Sequence, residues 1–384
     1  MKIYTYKAFN QCEASLIEKF LNGDKEPETY DIKTDRIQED CLIMIHVIDL
    51  LHDIPYDVLA RISYVQKKKI LLVYHHKNLG VRNFDQTMQL IAIRQILEQM
   101  NFTENQVYFI CQLKGDIPLI KEHLGNINIM HFCKWMDEFK DNQVLTILKR
   151  LPGRNIQLFP NLEYKKMSVC IRRFEQDRLN FMTKLVDEGL MDDFNFSFTN
   201  HLGTNCRDTI SIDEIKTMLP NNIVNKEKVN KFIDNMPYIY GNDIEFPYPL
   251  ELDSLIVNSF VNVAFETSPR NDTCVISEKV YKPMFLMKPF ILISQPYGLQ
   301  LLRDSGFMTF GDFIDESYDK ILDFDERMQA ILLEIKKIQN MPLRAISEAE
   351  HNMIGIFVHN FQLLVSEMFK PFPEKFTYRG IMND

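Results

Sequence analysis

The sequence has little glycine and none of the glycine-rich motifs that hold phosphates. Its 384 residues include 13 Gly and 16 Pro, and neither the GxxxxGK[ST] pattern nor the GxGxxG pattern occurs. Cysteine and histidine do not stand at zinc-ligand spacing, and no Gly-x-Ser-x-Gly segment is present. These absences argue against P-loop nucleotidases, dinucleotide-dependent dehydrogenases, zinc modules and α/β-hydrolases.

Paired cysteines and long apolar runs are missing as well. The seven cysteines are odd in number, and several lie inside apolar runs, as Cys111 does, which is typical of buried thiols in a reducing compartment. No stretch reaches the 18 apolar residues of a membrane span. The first residues are predicted to form a strand and lack the apolar core of a signal peptide. We therefore expect a cytoplasmic protein, in the cytoplasm of a host cell if the protein is viral.

Basic residues do not dominate the chain. The net charge is −9 and the pI is about 5.6, the opposite of what a protein that coats nucleic acid normally has. Hydrophobic residues make up 46% and charged residues 25%, which is the balance of a globular protein. The length suits two domains better than one.

Short apolar runs alternate with amphipathic stretches in the first 150 residues, which predicts a parallel sheet with helical crossovers. The predicted strands are 3–8, 41–48, 70–74, 107–111 and 127–132, and the predicted helices are 12–21, 54–65, 84–100 and 118–124.

The same alternation begins again after residues 151–164, which hold Pro152, Gly153 and Pro160 and are predicted to connect two domains. The predicted strands are 166–171, 194–198, 260–266 and 289–294, the predicted helices are 174–188, 278–286, 299–304, 324–340 and 348–368, and residues 205–250 are expected to form helical insertions and a long loop. We expect an α/β protein with Rossmann-like domains at 1–150 and 151–345 facing a cleft. Residues 346–384 are expected to form a helix that packs back on the first domain.

One strand end and the helix start that follows it carry the most chemistry. The predicted strand 260–266 ends at Glu266, and a helix is predicted to begin near Ser277, a plausible N-cap. Glu278 lies in the first helical turn, and Lys279 lies beside free backbone N–H groups, an arrangement suited to a diphosphate. The carboxylate of Glu266 is placed to hold the two hydroxyls of a ribose.

This segment resembles the donor-binding motif of the alpha-1,3-fucosyltransferase family, in which a Phe-Glu-Asn-Ser strand end precedes Tyr-Val-Thr-Glu-Lys. Residues 265–268 and 276–279 match it, with Thr267 in place of Asn and Ile276-Ser277 in place of Val-Thr. Residues 167–173, followed by Arg178, resemble the strand of that family that ends in Ser-Asn-Cys and precedes an arginine. Residues 277–283, 302–307 and 313–318 also resemble uncharacterised virus- and phage-type proteins.

The resemblance implies a GT-B fold of two Rossmann-like domains, with a nucleoside-diphosphate sugar held by the C-terminal one. It implies that Arg178 and Lys279 face the donor diphosphate and counter the charge of the leaving group without a metal. Arg172 and Arg173, at the end of the same strand as the family's Ser-Asn-Cys, are included among the expected donor-binding residues, with Glu266, Ser277 and Glu278. No cofactor beyond the donor substrate is expected.

The implied reaction moves the sugar to an acceptor hydroxyl, on a glycan or another molecule, with inversion. It needs a base near that hydroxyl, which we expect in the first domain at a predicted strand end. We choose Asp49 and His75 as candidates. The alternatives are His46, His52, Asp53, His76 and Asp116.

Two other functions fit the same residues. One is a viral DNA-modifying transferase that acts on a hydroxymethylated base, with DNA as its partner; the acidic composition argues mildly against it. The other is a non-catalytic protein that binds nucleotide sugars and lacks a working base. Asp192 and Asp193, which are adjacent, precede a predicted strand instead of following one, so they are not expected to hold a metal. The oligomeric state is left open.

Overall fold

A computed structural model of the chain describes residues 2–5, 20, 28–39, 41–74, 86–111, 116–132, 163–202, 208–238, 253–267, 269–270, 276–371, 373–377 and 381–382. The chain divides into two compact units. The first comprises Met1–Asp137 and Phe369–Asp384, and the second comprises Glu138–Met368.

The first unit is built on a parallel sheet of six strands. The strands are β1 (Lys2–Thr5), β2 (Glu28–Asp31), β3 (Cys41–His46), β4 (Lys68–Tyr74), β5 (Val107–Cys111) and β6 (Asn128–His131), in the order β2-β1-β3-β4-β5-β6. Every residue of β5 is buried, as is every residue of β3 except His46. Continuous apolar runs of this kind are expected in a parallel sheet that is covered on both faces.

Four helices of the first unit are described: α1 (Val47–His52), α2 (Tyr56–Ser63), α3 (Gln86–Gln99) and α4 (Ile117–Leu124). The end of the chain completes the core of this unit. Phe376 packs edge-on against Tyr108 with ring centroids 5.8 Å apart, and Ile381 is fully buried in the same cluster.

The second unit contains a separate parallel sheet of four strands. They are β7 (Lys165–Arg173), β8 (Phe194–His201), β9 (Ser259–Phe265) and β10 (Phe290–Ile293), in the order β10-β9-β7-β8. The helices are α5 (Gln176–Asp187), α6 (Ile212–Thr217), α7 (Lys226–Asp234), α8 (Asp253–Val257), α9 (Glu278–Phe285), α10 (Gly298–Asp304), α11 (Phe324–Gln339), α12 (Leu343–Asn352) and α13 (Ile354–Phe369).

The α/β class and the presence of two parallel sheets are confirmed. Most predicted elements of the second half are present with ends shifted by one to three residues. The predicted helix 12–21, apart from Phe20, and most of the predicted connection 151–164 lie outside the described residues. Strand β2 and helix α8 were not predicted.

Three predicted elements differ from the structure. The predicted strand 41–48 ends at His46, because the apolar run continues into α1, where Val47 and Leu50 are buried at helical spacing. The predicted helix 348–368 is two helices that meet at Met353. Of residues 205–250 the structure describes 208–238, which contain helices α6 and α7, and α6 begins at a capping box between Ser211 and Glu214.

Candidate functional site

A buried carboxylate joins the end of β9 to the start of α9. Glu266 follows the last residue of β9 and has no exposed surface. Its Oε1 accepts a hydrogen bond from the backbone N of Ser277 at 2.7 Å, and its Oε2 accepts one from Ser277 Oγ at 2.7 Å. Glu266 therefore fixes the N-cap residue of α9 from across the loop.

The amino group of Lys279 lies in this network. Its Nζ is 3.3 Å from Glu266 Oε2, 3.1 Å from Ser277 Oγ and 3.8 Å from Glu278 Oε1. Ser277 Oγ also accepts a hydrogen bond from the backbone N of Lys279, as an N-cap does. A quarter of the Lys279 side chain is exposed, so this cation is anchored by carboxylates and still reaches solvent.

Arg178 brings the neighbouring strand into the site. It lies in the first turns of α5, after β7, and its side chain is 3% exposed. Its guanidinium donates to the backbone O of Arg173 at 2.8 Å and to Thr267 Oγ1 at 3.4 Å, and it lies 3.5 Å from Glu175 Oε2. Burial lowers the pKa of Arg178, and Glu175 acts in the opposite direction.

The guanidinium of Arg178 also lies over the ring of Phe265, 5.8 Å from its centroid. Phe265 and Thr267 flank Glu266 in the chain, so Arg178 contacts the residues on both sides of that carboxylate. The ends of β7 and β9 and the starts of α5 and α9 are thereby held together. We call the group Arg178, Glu266, Thr267, Ser277 and Lys279 the charged cluster.

Two further arginines end β7 beside the charged cluster. Arg172 and Arg173 are half-buried, and Arg173 Nε lies 3.4 Å from Glu175 Oε1 with 42% of its side chain exposed. Arg173 therefore reaches solvent, whereas Arg178 is almost completely covered.

The charges in this region are nearly balanced. Glu266, Glu278 and Glu175 are carboxylates that lie within 4 Å of Lys279 or Arg178. Glu278 is also largely covered, with 8% of its side chain exposed. Lys279 and Arg173 are partly exposed cations of this region, whereas Arg178 and the carboxylate of Glu266 are covered.

The other predicted residues are distributed as follows. Asp49 lies in α1, and its side chain is outside the part of the chain that the structure describes, as are His75 and His76 entirely. His46 ends β3 and is half-buried. Asp116 precedes α4 and is 6% exposed. Asp192 and Asp193 lie in a short turn before the first residue of β8, at the opposite edge of the sheet from Glu266.

Sequence reasoning missed two members of this region. Thr267 was noted only as a departure from the family motif, and Glu175 was not considered. Both had a sequence signal. Thr267 directly follows Glu266 at the strand end, and Glu175 stands three residues before Arg178, at the helical spacing that favours an ion pair.

Arg270 lies in the described part of the loop between Thr267 and Ser277, and its contacts hold that part in place. Its guanidinium lies 2.9 Å from Asp177 Oδ1 and 2.7 Å from Asp325 Oδ1, and it covers the ring of Phe324 at 4.3 Å. These contacts tie the loop to the starts of α5 and α11.

Two kinds of feature are absent from the described residues. Within them, His, Cys, Asp and Glu do not form a group of three or more that would suit a metal ion. The described helices include none whose length and apolar character would let it cross a membrane.

Comparison with known proteins gave matches only among solved structures. No family model and no curated protein matches the chain. The chain is similar to a UDP-forming alpha,alpha-trehalose-phosphate synthase from Burkholderia xenovorans, with 11% identity and a TM-score of 0.39 over 86% of this chain and 74% of that one. It is also similar to a trehalose-6-phosphate synthase, with 12% identity and a TM-score of 0.38 over 88% and 74%. These TM-scores are too low to indicate what this chain binds.

Proposed function

We propose that the protein is a glycosyltransferase whose second unit binds a nucleoside-diphosphate sugar at the charged cluster. The observation that carries the proposal is the anchoring of Lys279 and the start of α9 by Glu266 at the carboxyl end of β9. In parallel α/β sheets ligands bind beyond this edge, and a helix N-terminus with a fixed cation suits a diphosphate. The resemblance of residues 265–268 and 276–279 to the fucosyltransferase motif supports the same conclusion.

The reaction that we propose is an inverting transfer to an acceptor hydroxyl, on a glycan or another molecule. The hydroxyl oxygen attacks the anomeric carbon, and the bond to the diphosphate breaks as its electron pair leaves with the nucleotide. Negative charge then grows on the diphosphate, where Lys279 and Arg173 counter it directly and Arg178 does so through its contacts. A metal ion is not needed in this scheme, because these cations take its place.

Glu266 has a positioning role in this proposal. Because both of its oxygens already accept hydrogen bonds and neither is exposed, we assign it to the orientation of Ser277 and Lys279. This replaces the expectation that it grips a ribose. The side chain of Glu278 is 8% exposed and lies beside Lys279. We assign its carboxylate to the ribose hydroxyls.

We also propose domains at 1–150 and 151–345, a C-terminal segment at 346–384 and a base in the first domain. Asp49 and His75 remain predicted bases, and the only argument for them is that each lies at the end of a predicted strand. A cytoplasmic location, in a host cell if the protein is viral, is part of the same proposal.

The second candidate function is that of a non-catalytic protein that binds nucleotide sugars, and one observation favours it. Arg178 is almost fully buried and Lys279 is paired with carboxylates, so the site offers less free positive charge than its sequence suggests. A protein of this kind would bind nucleotide sugars without cleaving the bond between the sugar and the diphosphate.

Two measurements test the proposal together. A thermal-shift screen over UDP, GDP and their common sugar conjugates should show stabilisation, about 2.7 kcal/mol for a ligand at 100 times its Kd. The best donor is then incubated with the protein, and release of the nucleoside diphosphate is followed. Stabilisation with release supports the transferase, stabilisation without release supports the binding protein, and no stabilisation by any nucleotide refutes both.

A further inference from the structure

Tyr297 is an exposed aromatic residue at the carboxyl edge of the sheet of the second unit. It follows the last residue of β10 by four positions, and 51% of its surface is exposed. In the described part of the second unit, one other aromatic residue is exposed. This is Tyr164, which directly precedes β7 and therefore lies at the opposite, amino edge. The ring of Tyr297 is thus at the edge where parallel sheets bind ligands.

The loop that contains Tyr297 is tied to the charged cluster. The backbone N of Glu266 donates a hydrogen bond at 2.8 Å to the backbone O of Ile293, the last residue of β10. In the loop that follows, Gln295 Nε2 donates to the backbone O of Thr267 at 3.4 Å. Because two residues span at most about 7 Å of chain, the backbone of Tyr297 lies that close to a residue in direct contact with the cluster.

The backbone of Tyr297 has a conformation that favours glycine. Its φ is +64° and its ψ is +20°, in the left-handed region, where a bulky side chain is uncommon. Such conformations cost free energy, and they are concentrated at ligand-binding sites. If the chain needed only the turn, glycine or asparagine would serve it better.

The turn and the helix that follows do not use the Tyr297 side chain. Tyr297 precedes α10, and its side chain makes no capping hydrogen bond. The carboxylate of Asp319 caps α10 instead, because it accepts hydrogen bonds from the backbone N of Leu299 and of Gln300. The backbone O of Asp319 also accepts the backbone N of Tyr297 at 2.7 Å, which holds the turn. Neither the turn nor the helix cap therefore accounts for an aromatic ring at this position.

We propose that the ring of Tyr297 is the platform on which the base of the nucleotide stacks. This inference rests on the donor site proposed above, and it names the residue of that site that recognises the base. With the diphosphate at Lys279 and the ribose at Glu278, the base is left to the neighbouring loop. Tyr297 and the charged cluster all belong to the second unit. Every base has a flat π face, so an aromatic side chain stacks on it whichever base it is.

The test measures the binding of UDP, GDP and inorganic pyrophosphate to the full chain by isothermal titration calorimetry. Tyr297→Gly removes the ring and suits the left-handed backbone. Its Kd should rise about 5- to 150-fold for the nucleoside diphosphate that the parent binds more tightly. Its Kd for pyrophosphate, which has no base, should match that of the parent.

Two further variants serve as controls. Tyr297→Phe keeps the stacking face and should bind the nucleoside diphosphate as the parent does. Tyr164→Ala removes the exposed ring at the amino edge of the same sheet, and it should leave the binding of both probes unchanged.

Stability separates a binding residue from a structural one. Because glycine relieves the positive φ, Tyr297→Gly should unfold at the same denaturant concentration as the parent or at a higher one. A lower unfolding midpoint, or an equal loss of binding for pyrophosphate, would give the ring a structural role and overturn the assignment.

Two other results would also overturn it and leave the donor site intact. One is a Tyr297→Gly variant that binds the nucleoside diphosphate as tightly as the parent. The other is weaker binding of the nucleotide sugar with unchanged binding of the nucleoside diphosphate, because the ring would then pack on the sugar. A parent protein that binds neither pyrophosphate nor a nucleoside diphosphate would remove the donor site itself.

Discussion

At the scale of single residues, the site depends on side chains whose accessibility differs from what their types suggest. Arg178 is a cation that the fold covers almost completely, whereas Lys279 is a cation that the fold anchors and leaves reachable. Only the second can touch a ligand without a change in the structure. Substitution of Lys279 should therefore change mainly the reaction rate. Substitution of Arg178 should also lower the free energy of unfolding.

Lys279→Ala should lower donor turnover by about 10²-fold, the loss typical when one electrostatic contact to a developing charge is removed. Lys231→Ala is the matched control, because Lys231 is exposed on α7 of the same unit. Steady-state rates with the selected donor measure the effect. Equal rates for Lys279→Ala and the parent would show that this lysine is not in the donor site.

Asp116→Asn should change how stability depends on pH. The folded-state pKa is raised from 3.8 to about 7, so the folded protein prefers the protonated acid. The contribution of Asp116 to the free energy of unfolding is therefore fully present below pH 3.8 and is lost as the pH rises to 7, by about 4 kcal/mol at most for three pKa units. Asp116→Asn should lack that loss and be the more stable protein at pH 8.

Denaturant unfolding at pH 5 and pH 8 gives the comparison. Each protein is measured at both pH values, so the amide substitution itself cancels in the difference. A gap between parent and variant that is the same at both pH values would mean that Asp116 titrates like an ordinary aspartate.

At the scale of elements, the important feature is the connection from β9 to α9. A buried carboxylate at the strand end holds the N-cap residue of the helix, so the loop between them is fixed at both ends. Glu266→Ala should lower the free energy of unfolding by about 3 to 5 kcal/mol, because it leaves the buried partners of the carboxylate without an acceptor.

Glu348→Ala is the control for this prediction, since Glu348 is an exposed partner in an i,i+4 pair on α12 and such pairs contribute about 0.3–0.5 kcal/mol. Chemical denaturation measures both variants. If Glu266→Ala were as mild as Glu348→Ala, the carboxylate would not be the anchor of α9.

Much of this element order was predictable from the sequence, and the misses have physical causes. The run at β5 is apolar throughout and bounded by polar residues, so its predicted and observed ends agree. The run at β3 lacks a polar boundary before α1, so the strand was predicted too long. The buried residues Ile346, Met353, Phe357, Leu364 and Met368 keep helical spacing across the break between α12 and α13, so periodicity alone predicted one helix.

The site was predictable to a similar degree. The strand end at Glu266 and the helix start at Ser277 were predicted, because an N-cap followed by acidic and basic residues is a local signal. The hydrogen bonds from Ser277 to Glu266 and from Arg178 to Thr267 were not predictable. They join residues 11 and 89 positions apart, and a single sequence has no signal for such contacts.

At the scale of the whole molecule, the chain has two parallel sheets, one in each unit. The second unit contains the charged cluster at the end of β7 and β9, and the first contains Asp116 at the end of β5. This account predicts a reaction without a metal, since Lys279 and the arginines supply the positive charge.

Donor turnover should therefore survive EDTA, and Asp192→Asn should be nearly silent, because Asp192 lies before β8 at the other edge of the sheet. The rate of donor turnover is measured for the parent with and without EDTA, and for Asp192→Asn. Turnover that disappears in EDTA and returns with manganese or magnesium would contradict the mechanism.

The most direct test of the central claim is a crystal structure of the protein with the nucleoside diphosphate that stabilises it most. The account predicts diphosphate oxygens within hydrogen-bonding distance of Lys279 Nζ at the start of α9, with Glu266 still bonded to Ser277. A nucleotide bound elsewhere, with Lys279 still paired only to Glu266 and Glu278, would contradict it.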